Sequence, residues 1–439
     1  MNILDRENFN PKNLINIIFY LYPITFALGN TAININTITI ILMTFLFFKK
    51  DLLENFYKLD KLIIFFFIYV LFVGLINIVD LTFYSEIDIV HFKNSKLYIF
   101  FKSLTYLRYF LLFFVISYLI KKNIIKFNNF FLVSTIMCLF LSFDLFVQFL
   151  FNKDIFGIAP INPRKLSGFF GNELIAGSYL QRFCFFLIFF LLIFFNNNKK
   201  YLFLLFSLCS VFFATVLSGN RTPLILLIFG LFLIFIFLKN IRKYFVILFL
   251  IFSLIFGTLF FLNSEIKYNY KNYYNHTYKI IKIPFSKKIN RSDMPDYFDE
   301  FESFYDTWHL NKYFGGGVKS FRIYCPYRKN ISIDERSTCN THPHNYYLEI
   351  LTETGIFGLI ILLTIMYRCL KKYLTIYFSK INLQEKNIIL PFLILFILEI
   401  FPLKNTGSFF STINSTYIFI ILGCLEGLSL ISRGQLKTK

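Results

Sequence analysis

The sequence predicts an all-α polytopic membrane protein with about twelve transmembrane helices and one large loop on the outer face. Three observations carry that expectation. The 439 residues are 56% hydrophobic and 21% aromatic. Apolar runs repeatedly reach the roughly 20 residues that cross a bilayer as a helix. Basic residues are bunched, and the bunches follow every second run.

In chain order the runs cover residues 14–28, 31–48, 62–82, 102–120, 129–151, 173–195, 201–217, 222–238, 244–263, 346–367, 387–403 and 413–432. The basic clusters are "KKDLLENFYKLDK" (49–61), "KKNIIK" (121–126), "NNNKK" (196–200), "KNIRK" (239–243), "RCLKK" (368–372) and "SRGQLKTK" (432–439). By the positive-inside rule these loops and both termini face the cytoplasm. The first run follows a polar segment and a second run comes at once, so no cleaved signal peptide is expected. The net charge of +20 is thus a topology signal. The expected surroundings are membrane lipid, with no nucleic acid partner.

The chain divides into residues 1–263 with nine spans, a large outer loop at 264–345, and 346–439 with three spans and a cytoplasmic tail. No internal repeat is evident. All five histidines, His91, His276, His309, His342 and His344, fall on the outer side. Cys138, Cys184, Cys209, Cys369 and Cys424 lie in or beside spans, where a small buried apolar residue is the ordinary reading. Cys325 and Cys339 bracket "PYRKNISIDERST" in the loop. An oxidising compartment closes them into a disulfide, and a reducing one leaves two free thiols.

The loop opens with "NSEIKYNYKNYYNHTYKIIKIPFSKK", polar, basic and tyrosine-rich, suited to the membrane surface. "SDMPDYFDEFESFYDTWHLNKYF" follows. Ser292 or Asp293 suits an N-cap, and Tyr297, Phe301, Phe304, Tyr305 and Trp308 recur at three- and four-residue spacing, which predicts an amphipathic helix. Gly315, Gly316 and Gly317 are expected to end it. At the mouth of the tenth span, "STCNTHPHNYYLEILTETGIFGL" (337–359), Pro343 suits the first helical position with Thr341 or His342 near the cap. Asn345, Glu349 and Glu353 then share one helical face. Acids at a helix start have an ordinary cause in the helix dipole, but Glu353 lies over two turns into an apolar helix, where ionisable groups face a partner or a wet cavity.

Other charged groups recur at the outer ends of spans. Lys102 and Arg108 lie in "FKSLTYLRYFLLFF", Asp144 and Gln148 in "SFDLFVQFLF", Arg164 and Lys165 before "LSGFFGNELIAGSYLQRF", which carries Glu173 and Arg182, and Arg221 in the turn "LSGNRTP". Each taken alone fits snorkelling to headgroups or an ordinary turn. "HPH" offers two imidazoles without a third or fourth ligand, so neither a metal nor a cofactor is expected. Together with Arg322 and the histidines, however, the basic groups converge at one membrane level. Guanidinium forks there suit a lipid pyrophosphate, and a histidine can accept a proton near neutral pH. The pattern reads as transfer from a lipid-pyrophosphate donor to an acceptor hydroxyl.

"HNYYLEILTETGIFG" (344–358) resembles the signature of the O-antigen ligase and polymerase superfamily: His344, Asn345, nine residues, Gly355, two residues, Gly358. "FGGGVKSF" resembles a glycine-containing segment of that family through Gly315, Gly317 and Phe321, and "LSGNRTPLILL" resembles its arginine turn through Arg221. "DLFVQFLFNKDIFG" and "RKLSGFFGNE" are also similar to its segments, and the likeness runs from about residue 100 to 425. It implies an inverting, metal-independent glycosyltransferase with a GT-C-like bundle in the bacterial inner membrane, its large loop and active site periplasmic. The implied donor is undecaprenyl-pyrophosphate-linked glycan. The implied acceptor is lipid A-core for a ligase, or a second lipid-linked glycan for a polymerase. His344 and Arg221 would be catalytic, His344 as general base and Arg221 on the diphosphate. Arg108, Arg164, Lys102, Arg322, Asn345 and Glu349 would bind substrate. A protein-glycosylating member of the superfamily is a third reading. A flippase or polysaccharide transporter belongs to another class, and the absence of paired halves and matching broken helices speaks against it.

Overall fold

The structure is a computed structural model that describes residues 10–56, 60–79, 93–195, 199–282, 297–327, 339–379, 383–402, 404 and 407–437. His91, the cap candidates Ser292 and Asp293, and residues 328–338 between the two loop cysteines lie outside them. The helices are α1 (Pro11–Tyr20), α2 (Tyr22–Leu28), α3 (Asn30–Phe56), α4 (Lys61–Ile78), α5 (Lys93–Lys121), α6 (Phe127–Phe151), α7 (Ala176–Ile193), α8 (Lys200–Leu217), α9 (Arg221–Phe237), α10 (Arg242–Leu262), α11 (Ser264–Lys282), α12 (Tyr297–Leu310), α13 (Phe321–Tyr324), α14 (Tyr346–Phe378), α15 (Leu383–Glu399) and α16 (Thr412–Lys437). The protein is an all-α polytopic membrane protein. Among the described residues nine helices are long and apolar enough to cross a membrane, and α9 is a shorter apolar one.

Each expected run overlaps a helix, but the first is split at Leu21 and the tenth is broken at Gly355. Pro23, near the start of α2, has no N–H to give the carbonyl of Phe19, so the turn before it cannot continue as a regular helix. Helix α14 runs to Phe378, well past the apolar stretch that marked its span. The most extensive helix–helix packing is between α5 and α16, where Gly423 and Gly427 lie against Ile116, Ser117 and Ile120. Small residues at such a seam let two backbones approach when no water drives them together.

Between α10 and α14 the described residues are themselves largely helical. Its polar opening forms α11, tied to the bundle by Asn269, whose side-chain amide donates to the carbonyl of Gly219 at 3.1 Å. Phe304 of α12 clusters with Phe321 and Cys325, and Trp308, Leu348 and Leu351 pack around them. This apolar patch seats α12 on α14. Cys325 and Cys339 form a disulfide with Cα atoms 5.8 Å apart. It joins the two arms of the loop, three residues after Arg322 and three before His342. Replacing both cysteines by serine is expected to cost about 3 kcal/mol, the chain-entropy value for a closed loop of this length. Limited proteolysis in detergent reads it as faster cleavage of the loop, with the bundle fragment intact.

The glycines expected to end α12 do something else. Helix α14 breaks at Gly355, where φ is 69° and ψ is −175°, and the glycine segment docks into the break. The carbonyls of Thr352 and Glu353, released by the break, accept from the N–H groups of Gly316 (3.1 Å) and Gly317 (2.7 Å), while Ile356 and Phe357 donate to Lys312 (2.9 Å) and Tyr313 (3.4 Å). The carbonyl of Thr354 accepts from the Tyr69 hydroxyl at 2.9 Å. Five main-chain groups around the break therefore have partners outside the helix, as a buried backbone requires. The approach leaves no room for side chains: a Cβ on Gly315 would lie 2.5 Å from the backbone of Glu353 and Thr354.

Candidate active site

A cavity of 640 Å³ opens at the end of the bundle that bears the loop. Phe26, Leu174, Ile175, Tyr179, Phe183, Pro223, Leu226 and Ile413 give it an apolar wall. The remaining lining carries Lys165, Arg182, Lys319, Arg322 and Lys404, both His342 and His344, and neutral polar groups such as Ser178, Gln181, Ser408 and Asn414. Among the described residues the lining contains no aspartate or glutamate. Such a concave site, apolar on one side and cationic on the other, is chemically matched to an amphiphilic anion.

The floor is an ion cluster built from four helices and a connection. Arg182 Nε of α7 donates to Glu399 Oε1 at 3.0 Å, and Lys404, which follows α15, donates to Glu399 Oε2. Arg182 also donates to Asn414 Oδ1 at 2.6 Å. The Tyr346 hydroxyl lies 3.4 Å from Glu399. Arg182, Lys404 and Glu399 are 6%, 3% and 2% exposed. Aromatic faces close the underside, with Tyr417 beneath Arg182 at 4.7 Å and Tyr346 beneath Lys404 at 5.0 Å, an arrangement favourable to desolvated cations. Burial pushes the Lys404 ammonium down to about 8, with Glu399 opposing the shift and Arg182 adding to it.

The rim is set by the docked glycine segment and the turn before α14. Lys319, at φ 69°, lies 3.5 Å from the carboxylate of Glu349. It also donates to the Ser408 hydroxyl. Glu349 is fully buried and accepts in turn from Ser408 and from the N–H of Phe409. One carboxylate thus ties α14, the loop cation and the α15–α16 connection together. The imidazoles of His342 and His344 stand 4.5 Å apart. His344 has φ 30°, in the left-handed region that L residues rarely occupy. The Nδ1 of His342 pairs with the Thr341 hydroxyl at 2.9 Å. Burial first, then electrostatic contributions from the neighbouring His344, Lys319 and Arg322, push His342 down to about 4, so it is neutral at pH 7.

Of the residues expected from the sequence, His344 and Arg322 line the cavity. Asn345 is the N-cap of α14, its side chain accepting from the N–H groups of Tyr347 and Leu348 and donating to the carbonyl of Pro402 at 2.9 Å. This corrects the expected helix start. Pro343 sits before the cap, because the Asn345 carbonyl oxygen is better placed to satisfy the orphan donors of the first turn. Glu349 anchors Lys319 and Ser408 and is not among the lining residues.

Four expected cations stand outside the cavity lining. Arg221 donates to Asn269 at 3.0 Å and lies 5.4 Å over Tyr273, clasping α11 to the α8–α9 turn. Arg164 pairs with Glu265 at 2.8 Å over Tyr268 at 4.1 Å. Arg108 donates to the Tyr109 hydroxyl at 2.7 Å, and Lys102 lies over Tyr98 at 5.0 Å. Glu353 is wholly buried, and neither of its carboxylate oxygens has a hydrogen-bond partner among the described residues. Sequence reasoning did not single out Lys319, Glu399 or Lys404 as site residues. The available signal was Glu399, an acid closing the apolar run "LPFLILFILEIF".

No curated protein matches the sequence. Residues 205–363, from α8 through the glycine junction into α14, match the family model described as O-antigen ligase, and over that stretch the chain is similar to that family.

Proposed function

We propose that the protein transfers glycan from a polyprenyl-pyrophosphate carrier, undecaprenyl pyrophosphate in bacteria, to an acceptor hydroxyl. In this reading the loop-bearing end is the periplasmic side of the inner membrane, and both termini are cytoplasmic. The observation that carries it is the cavity: among the described residues five cations, two imidazoles and no carboxylate face a space with one apolar wall. A diphosphate takes a subset of the cations, its lipid follows the apolar wall, and the sugar is left near the histidines.

The acceptor oxygen attacks the anomeric carbon from the face opposite the carrier. The new glycosidic bond forms as the bond from that carbon to the phosphate oxygen breaks, and the electron pair leaves on the diphosphate. The acceptor's proton passes to the imidazole of His344. Negative charge grows where fixed cations already point, so no reorganisation is needed during the step. Arg221 and Arg164 serve by holding α11 in place, and Glu349 by fixing Lys319 and Ser408.

A ligase-like reaction on lipid A-core is favoured by the His344–Asn345 spacing to Gly355. The test is product mass after reconstitution with undecaprenyl-pyrophosphate-linked repeat, with and without lipid A-core. Sugar appearing only on added core supports the ligase, and longer glycan on the carrier without core makes it a polymerase. His344→Ala is expected to lower the rate about 10²- to 10⁴-fold with an unchanged melting temperature. No His344-dependent product with either acceptor, from matched substrates, would remove the transferase reading and favour transport.

A further inference from the structure

We infer that the buried cluster of Arg182, Glu399 and Lys404 at the cavity floor is the subsite for the donor's diphosphate, with Lys404 and Gln181 as its ligand-facing donors. The inference rests on the proposed function and says which part of the cavity takes which part of the substrate.

The argument begins with charge. Two cations share one carboxylate, all three almost wholly buried, and among the described residues the cavity lining offers no second acid. One positive charge is therefore left without a protein counter-ion in an almost wholly buried cluster, where screening by water is weak. Buried charge is expensive unless paired, so the ligand this floor stabilises is an anion. The rim differs. Lys319 already has Glu349 and Ser408, and Arg322 is exposed, where water weakens its pull.

A second, independent observation points the same way. Gln181 is 2% exposed and lines the cavity, and its side-chain Nε2 has no hydrogen-bond partner among the described residues. A buried amide N–H beside a vacant cationic space is an unmet donor, which a phosphate oxygen satisfies. Gln181 and Arg182 are consecutive on α7, so one helix turn presents both. With the diphosphate on the floor, the rim with Lys319, Arg322 and the two imidazoles is left for the sugar and the incoming hydroxyl.

The test is calorimetric titration of the purified full-length protein in detergent with inorganic pyrophosphate, followed by competition with a long-chain polyprenyl pyrophosphate. The wild type is expected to bind pyrophosphate. Lys404→Met, which leaves Arg182 and Glu399 as a neutral pair and so keeps the floor balanced, is expected to weaken it about tenfold or more. Lys404→Arg is expected to stay within about threefold of wild type, Gln181→Leu to weaken binding by about threefold or more, and Arg322→Gln to have little effect. The inorganic and lipid-borne forms are expected to displace one another. Wild type that binds no pyrophosphate, a Lys404→Met variant that binds like wild type, an Arg322→Gln variant that loses as much, or lipid-borne ligand that pyrophosphate fails to displace would each overturn the assignment. The two readings fail separately. Lys404-dependent binding without glycan transfer keeps the subsite and removes the enzyme, and His344-dependent transfer without a Lys404 effect does the reverse.

Discussion

Glu399→Ala is expected to destabilise the protein by about 3–5 kcal/mol, the cost of removing one partner from a buried ion cluster. The carboxylate is the acceptor for Arg182 and Lys404 and a partner of the Tyr346 hydroxyl. Without it, two cations face each other in a pocket almost closed to water, and α7, α15 and the α15–α16 connection lose their common anchor. Glu399→Gln keeps the shape and one acceptor but not the charge, so its loss should be smaller. Thermal unfolding in detergent measures both, and added pyrophosphate should raise the melting temperature of Glu399→Ala more than that of wild type. A melting temperature equal to wild type would mean that water in the cavity solvates the two cations adequately.

Gly355→Ala ranks second. The position combines φ 69° with ψ −175°, a region almost exclusive to glycine and worth about 1–3 kcal/mol of strain for any other residue. A Cβ there would also lie 2.0 Å from the carbonyl oxygen of Tyr313. That neighbour is main chain, so relief requires the whole glycine segment to move away, taking Lys319 and Arg322 from the rim. The variant is expected to lose transfer activity as well as stability, with the loop more readily cleaved by protease. Gly257→Ala is the matching control: its Cβ meets nothing within 4 Å, and in the middle of α10 alanine is the better helix former.

The bundle was legible because hydropathy and charge placement act locally: a run such as residues 129–151 announces a span without reference to any other part of the chain. The histidine turn was legible too, since "HPHNYYLE" carries an ionisable pair and a capping residue at a helix mouth. The floor was not. Arg182 and Glu399 are 217 residues apart, and no local pattern says which of the charges near the span ends will meet. For the same reason the motif around Arg221 says nothing of its pairing with Asn269, 48 residues later. Gly315–Gly317 was read as a helix stop because a stop needs only neighbours. Its actual partner, the break at Gly355, is forty residues downstream of Gly315 and visible only in three dimensions.

The junction between the glycine segment and α14 has a consequence for how such a site can diverge. Its bonds at 312, 313, 316, 317, 352, 353, 356 and 357 run from main chain to main chain, so the side chains there are not what holds the segment in register. The exposed Lys312 and Tyr313 can change identity so long as the glycines remain. A lineage can therefore rewrite the surface that meets a new acceptor while the distance between the loop cations and the histidines is inherited unchanged. The scaffold transmits position through the polypeptide itself and leaves chemistry at the rim to vary.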